Sequence, residues 1–247
     1  DPQFSSEKTP KAGQIELEKI FLALDECLPL GMTSVKVTGG EPFLRGDIFE
    51  LLDYLKERKI GITFETNATL IKDEHMRFFK KYPPRDIEVT VYGVNQETYE
   101  RVTKKQGSFA DFIRGLNLLL ENGIKVRFKA MAIRSNVSQL KEISDFCRQR
   151  TKDYFRFDPF LHLRFDGDKK RNEEIKSERL LPSEIVDIEQ RDSERFQALE
   201  NNCDKLINQE FSHINCNHLF HCGTGNGSFT VSYDGFFRLC SSLWHPD

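Results

Sequence analysis

Long apolar runs are absent from this sequence, which excludes a membrane-spanning helix. The one long interval free of Asp, Glu, Lys and Arg, Phe211 to Tyr233, carries His213, Asn215, Asn217, His218, His221 and Asn226, which hydrocarbon would expel. Net charge is almost absent too. With 36 basic side chains against 39 acidic, the balance is −3, so no general field favours nucleic acid or an anionic membrane, and neither is expected as a partner. Cysteine is scarce: six in 247 residues are too few for a disulfide scaffold. Four of them (203, 216, 222, 240) fall close together, which points to metal or redox chemistry in a reducing compartment, taken as the cytoplasm. Asp1-Pro2-Gln3 offers neither an initiator Met nor an apolar segment behind a basic start, so a piece of a longer product is expected rather than a secreted precursor. What remains, at 38% apolar and 30% charged with 9 Pro and 15 Gly, is globular, with room for one large domain or two small ones.

Strands are expected at about 34–38, 61–66, 86–92, 124–131 and 153–160, each separated from the next by helical periodicity. Such a run of βα units means an α/β fold with a parallel sheet. The second helix is the clearest. Asp47 stands as N-cap with Glu50 as capping-box partner, Ile48, Leu51, Leu52 and Leu55 share one face, and Gly61 ends the helix. Asp73 opens another helix that Pro83-Pro84 closes, and Phe109, Phe112, Ile113, Leu116 and Leu120 stripe a fourth. Past Asp166 the alternation stops: 167–180 read as a charged loop, 182–210 as helix, and 211–247 as a second module rich in His, Cys, Gly and aromatic residues.

Strands buried on both faces read as continuous Val, Ile and Leu, and these do not. Ile87, Val89 and Val91 alternate with Glu88 and Thr90, Ile62 and Phe64 with Thr63 and Glu65, Val126 and Phe128 with Arg127 and Lys129, and Phe157 with Arg156 and Asp158. Helices must cover the apolar face, so the polar faces are expected to converge on an open, wet cavity; a closed barrel would bury several charges. A flat antiparallel sheet with one solvated face would show the same alternation, but not the intervening helices.

Val35-Lys36-Val37-Thr38-Gly39-Gly40-Glu41-Pro42 places two glycines at a strand's C-terminal end, where bare backbone lets a ligand approach closely. Pro42 keeps Glu41 out of the helical region, so a carboxylate and outward carbonyls form an acceptor cluster suited to an ammonium group. The spacing matches neither Gly-x-Gly-x-x-Gly nor a Walker loop.

Strand, Gly-Gly-Glu-Pro, capped helix, Thr66-Asn67-Ala68 after the next strand and Val89-Thr90-Val91-Tyr92-Gly93 after the third resemble the radical S-adenosylmethionine enzymes, over about Gly13 to Asp158. The resemblance implies a partial, open (β/α)6 TIM-like barrel over 1–210. It also implies S-adenosyl-L-methionine bound by Thr38, Gly39, Gly40 and Glu41, with Thr90 toward the ribose and carboxylate and Arg101 on the carboxylate. A [4Fe–4S] cluster would complete such a site, yet the family's Cys-x3-Cys-x2-Cys loop is not in this sequence, so the first strand and that loop are expected to be missing from the chain. Tyr92 stands where relatives often have Asp.

Asp234-Gly235 between Phe229-Thr230-Val231 and Phe236-Phe237-Arg238 is a hairpin signal whose arms would bring Cys222 and Cys240 to one end. This tail, 211–247, looks like the opening of a SPASM domain, so Cys222 and Cys240 are expected as ligands of an auxiliary iron–sulfur cluster. A structural zinc on Cys216, Cys222, Cys240 and one of His213, His218 or His221 is the competing reading. The implied function is cleavage of S-adenosylmethionine and hydrogen abstraction from a peptide or protein substrate, with flavodoxin or ferredoxin as electron donor. The alternative is a non-catalytic peptide-binding barrel.

Overall fold

The computed structural model describes residues 14–153, 155–163, 168–207 and 227–240. The chain divides into two compact units, Asp1–Phe160 with Val231–Phe236 and Leu161–Thr230 with Phe237–Asp247. The boundary expected at 210 falls outside the described residues, as do Cys216, Cys222 and His213 to His221.

Five strands, β1 (Ser34–Val37), β2 (Gly61–Thr66), β3 (Asp86–Val91), β4 (Val126–Met131) and β5 (Arg156–Asp158), form one parallel sheet in the order β1-β2-β3-β4-β5. Crossovers between parallel strands are right-handed, so an unreversed order sends every crossover to the same side of the sheet. That is the winding of a partial barrel rather than of a doubly wound sheet. The crossovers carry α2 (Ile48–Glu57), α3 (Asp73–Lys81), α4 (Gln96–Thr103) with α5 (Ser108–Glu121), and α6 (Leu140–Arg148); α1 (Leu17–Cys27) precedes β1.

Register places Val35 beside Ile62, Phe64 beside Ile87, Val89 beside Phe128 and Ala130 beside Phe157, so the apolar face is continuous. The helices meet it with Leu51, Leu52, Leu55, Phe79, Phe112, Leu116, Leu119 and Ile143, all buried. Each such side chain contributes about 1.5–3 kcal/mol of burial. Phe64 links Phe43 and Phe79 at ring separations of 5.3 and 5.5 Å.

Four local expectations change. Asp47 occupies the N-cap position of α2 without capping it, because Arg45 holds its carboxylate at 2.6 and 2.9 Å. The left-handed residue that ends α2 is Lys59 (φ 57°), not Gly61, which opens β2. The segment taken as a charged loop is largely α7 (Lys169–Glu178): Asp168 accepts from the Arg171 amide at 3.0 Å, and Arg171–Glu174 and Lys176–Glu173 pair along it. A helix held by a cap and ion pairs, with nothing buried, has no apolar period to read. The remaining helical stretch breaks at Asp192 between α8 (Pro182–Arg191) and α9 (Ser193–Ile207). The hairpin forms as expected: Gly235 (φ 89°) donates to the Ser232 carbonyl at 2.9 Å, and β6 (Thr230–Val231) and β7 (Phe237–Arg238) make a two-stranded sheet.

Candidate functional site

The turn after β1 is built as its sequence demands. Gly39 sits at φ 132°, in the region that favours glycine, with open space where a Cβ would project. Glu41 is extended (φ −148°, ψ 113°), as the following proline requires, and Pro42 opens a single 3-10 turn through Leu44. Thr38, Gly39 and Gly40 are exposed.

Glu41 is not. Its carboxylate was expected to reach into the cavity; instead it is half-buried and tied to the neighbouring strand end. One oxygen accepts from the Thr66 hydroxyl at 2.7 Å and the Phe43 amide at 3.3 Å, the other from the Asn67 amide at 2.9 Å. Burial nonetheless raises its pKa, outweighing those donors. Among the described residues no lysine or arginine pairs with it, so this carboxylate, next in sequence to the glycines, has three hydrogen-bond donors and no cationic partner there.

Next to this tie, β2 ends in a compact loop. Ala68 is left-handed (φ 62°) and its amide donates to Thr66 Oγ1, while Thr69 closes on Asn67 Oδ1 with its amide (2.9 Å) and hydroxyl (2.6 Å). Helix α5 clamps the loop from outside, Arg114 donating to the carbonyls of Thr69 and Ile71 at 2.8 and 2.6 Å.

Thr90 lies on the polar face near the end of β3, opposite Lys129 in register. Glu65 shares that face, receiving Lys36 at 2.9 Å and the Thr38 hydroxyl at 3.0 Å. Burial alone would raise Glu65, but Lys36, Thr38 and Lys129 together hold it below its ordinary value. Glu88 is buried between Arg156 at 2.8 Å and Arg127 at 3.8 Å, and Lys129 pairs with Asp158 at 3.5 Å. The polar residues expected together do share one face.

Arg101 is placed differently. Its guanidinium donates to the Ser135 carbonyl at 2.9 and 3.2 Å and to Thr98 Oγ1 at 3.2 Å, and pairs with Glu97 at 3.3 Å. It braces α4 against the loop after β4, and no hydrogen bond or ion pair among the described residues joins it to Thr38–Glu41 or Thr90.

Sequence reasoning missed Asn136. Fully buried, it donates to the carbonyls of Tyr92 at 3.0 Å and Met131 at 2.8 Å and accepts from the Ile133 amide at 3.0 Å, so it fastens the end of β3 to the end of β4. Nothing in the local pattern distinguishes it from a loop asparagine. Tyr92 packs edge-on against Tyr99 at 5.8 Å, and its phenol is pushed up to about 12 by burial and then by the charge of Glu41.

Among the described residues cysteine contributes little here. Cys147 is fully buried in α6, its thiol pushed up to about 12 by burial, and Cys27 and Cys240 are half-buried. No group of three or more His, Cys, Asp or Glu among the described residues could hold a metal ion, and Cys222 lies outside them.

A family model described as the Radical SAM superfamily matches residues 3–147. An AdoMet-dependent heme synthase of Nitratidesulfovibrio vulgaris is 24% identical over 57% of this chain and 38% of its own. The antilisterial bacteriocin subtilosin biosynthesis protein AlbA of Bacillus subtilis is 27% identical over 58% of this chain and 32% of its own. The chain thus spans well under half the length of these curated relatives. A solved structure of anSMEcpe with bound AdoMet and the Cp18Cys peptide matches with a TM-score of 0.54 at 16% identity, over 69% of this chain and 49% of that one, a likeness of fold.

Proposed function

Because the chain belongs to the radical S-adenosylmethionine superfamily, we propose that its Thr38–Glu41 turn and the ends of β2 and β3 hold S-adenosylmethionine, and that the whole protein uses it to abstract a hydrogen atom from a peptide or protein. The observation that carries this reading is the Glu41 carboxylate, held by three donors yet paired with no cation among the described residues. A ligand bearing a sulfonium and an ammonium answers that charge.

On this reading the carbonyls of Gly39 and Gly40 accept from the ammonium, Thr38 forms the rim and Thr90 serves the ribose. Glu41 acts from behind them through its charge and by holding β1 and β2 in place. Arg101 would have to release Ser135 to reach the ligand's carboxylate. When bound, the cofactor supplies the carbon-centred radical; the protein binds, orients and shields it. Family membership implies a [4Fe–4S] cluster as well, and the described residues form no ligand set for one. Cys222 and Cys240, in a SPASM-type module over 211–247, would hold an auxiliary iron–sulfur cluster, and flavodoxin or ferredoxin would supply electrons.

The relatives support different substrates, a bacteriocin-biosynthesis protein standing beside a heme synthase. The polar sheet face, rich in ion pairs, favours a substrate with many hydrogen-bonding groups, which is why a peptide is preferred.

Titration of S-adenosylmethionine into the whole protein, cluster loop included, reconstituted with iron and sulfide tests the site. Gly39→Val cannot easily adopt φ 132° and should weaken binding about tenfold or more, with iron content unchanged. Equal affinities would remove the turn from the cofactor site.

A further inference from the structure

The first residues of β3 and β4, with Asp153 and Arg156 at the start of β5, border a cleft of about 270 Å³ lined by Asp86, Glu88, Lys125, Arg127, Phe128, Asp153 and Arg156. Its hydrogen-bonding capacity is unbalanced. Each guanidinium carries five N–H donors. Arg156 directs one bond of 2.8 Å to Glu88, and Arg127 makes none at hydrogen-bond distance, its approaches to Asp86 and Glu88 both being 3.8 Å. Both side chains are nearly half exposed, at 44% for Arg127 and 46% for Arg156. Glu88 is buried beneath them, so it fixes the pair in place without using up their donors.

We propose that Arg127 and Arg156 anchor an acidic group of the substrate, a carboxylate carried by a peptide segment lying along the polar face. The proposal rests on the reading above that this face receives a peptide. Register gives it a scale: Thr90 is level with Lys129, and Lys129 with Arg156. Arg156 is therefore two strand spacings from Thr90, roughly 10 Å. An extended peptide covers that distance in about three residues, so a short segment can reach from the Thr90 end of the polar face to this pair. The carboxylate would take parallel N–H bonds from a planar fork, an arrangement that a lysine could not reproduce.

The test uses a pooled library of short blocked peptides containing one Glu or Asp, and the matching library with Gln or Asn, each equilibrated with this 247-residue protein and quantified by mass spectrometry. The acidic library should be retained about tenfold more than its neutral counterpart. Arg127→Gln should abolish that preference. Since Arg156→Gln alone would strand buried Glu88, the double change Glu88→Gln with Arg156→Gln carries the second arm and should abolish it too. Equal retention of the two libraries, no retention at peptide concentrations up to about 1 mM, or a preference that survives both variants overturns the proposal. S-adenosylmethionine titrated into the same samples and into Gly39→Val separates the two readings: cofactor binding that Gly39→Val weakens, with no acidic preference, defeats only this anchor, whereas cofactor binding that Gly39→Val leaves unchanged defeats the site on which it rests.

Discussion

Replacing Gly115 by alanine tests how tightly the helical layer is locked onto the loop behind the proposed cofactor site. In the middle of α5 the exchange would ordinarily gain about 0.5–1 kcal/mol, since glycine is a poor helix former. Here a Cβ would stand 1.9 Å from the Ala68 carbonyl oxygen, 3.0 Å from its carbon and 3.3 Å from Ile71 Cβ. Backbone is on the other side of that contact, and Ala68 is already held left-handed by its bond to Thr66, so neither partner can rotate aside. Relief requires α5 to retreat by roughly 1.5 Å, to ordinary van der Waals separation. That retreat stretches both Arg114 bonds to Thr69 and Ile71. Overpacking costs about 1–3 kcal/mol and two part-exposed hydrogen bonds about 1 kcal/mol each, so after the helix gain the net loss is about 2–4 kcal/mol. In a domain of this size the melting temperature should fall by roughly 5–12 °C. Gly46→Ala is the control, since nothing lies within 4 Å of its Cβ position, and it should be close to neutral. Paired thermal melts decide the matter: a Gly115→Ala protein as stable as wild type, or more so, would refute the close approach of α5 to Ala68.

Glu41→Gln gives a pH signature. Burial raises the folded pKa of Glu41 above its unfolded value of about 4.5, so this group's contribution is fully present below that value and is lost as pH rises through the folded pKa. Urea titrations should therefore show wild type gaining on Glu41→Gln as pH is lowered toward 4.5; a constant difference would contradict the burial of the carboxylate. Asn136→Ala leaves two carbonyls and one amide without their partner and should cost about 2–4 kcal/mol in denaturant titrations, with a cost below about 0.5 kcal/mol refuting its role as a fastener. Cys147, fully buried and with its thiol pushed up to about 12, should resist iodoacetamide at pH 8 until the protein unfolds, whereas the half-buried Cys27 should react; mass-spectrometric mapping that finds Cys147 labelled first would contradict the packing of α6.

Much of the sheet was readable because its determinants are local. The alternation of Ile87, Val89 and Val91 with Glu88 and Thr90 carries both strand and face, and the stripe of Ile48, Leu51, Leu52 and Leu55 predicts the buried side of α2 residue for residue. What escaped depended on partners that only the fold brings together. Glu41 looked like a carboxylate free to meet a ligand because Thr66 and Asn67, which hold it, arrive through the pairing of β1 with β2. Arg101 looked available because Ser135 lies on another crossover. Asn136 carried no signal, since its three bonds run to main-chain atoms that any residue would supply. Helix α7 was missed for the opposite reason: its stabilisation is local but polar, and a search for apolar periodicity does not register charge pairs.

The unreversed order of the five strands also governs how the sheet can come into being on a ribosome. Each strand after β1 hydrogen-bonds to the one synthesised before it, as Ile62's strand does to Val35's and Phe128's to Val89's, so no strand must wait for a later segment to fill a gap beside it. A sheet whose order doubles back keeps a central edge open until distant chain emerges. From β1 and β2 onward this one can grow in one direction, and the advancing edge is covered by each new strand as it is made.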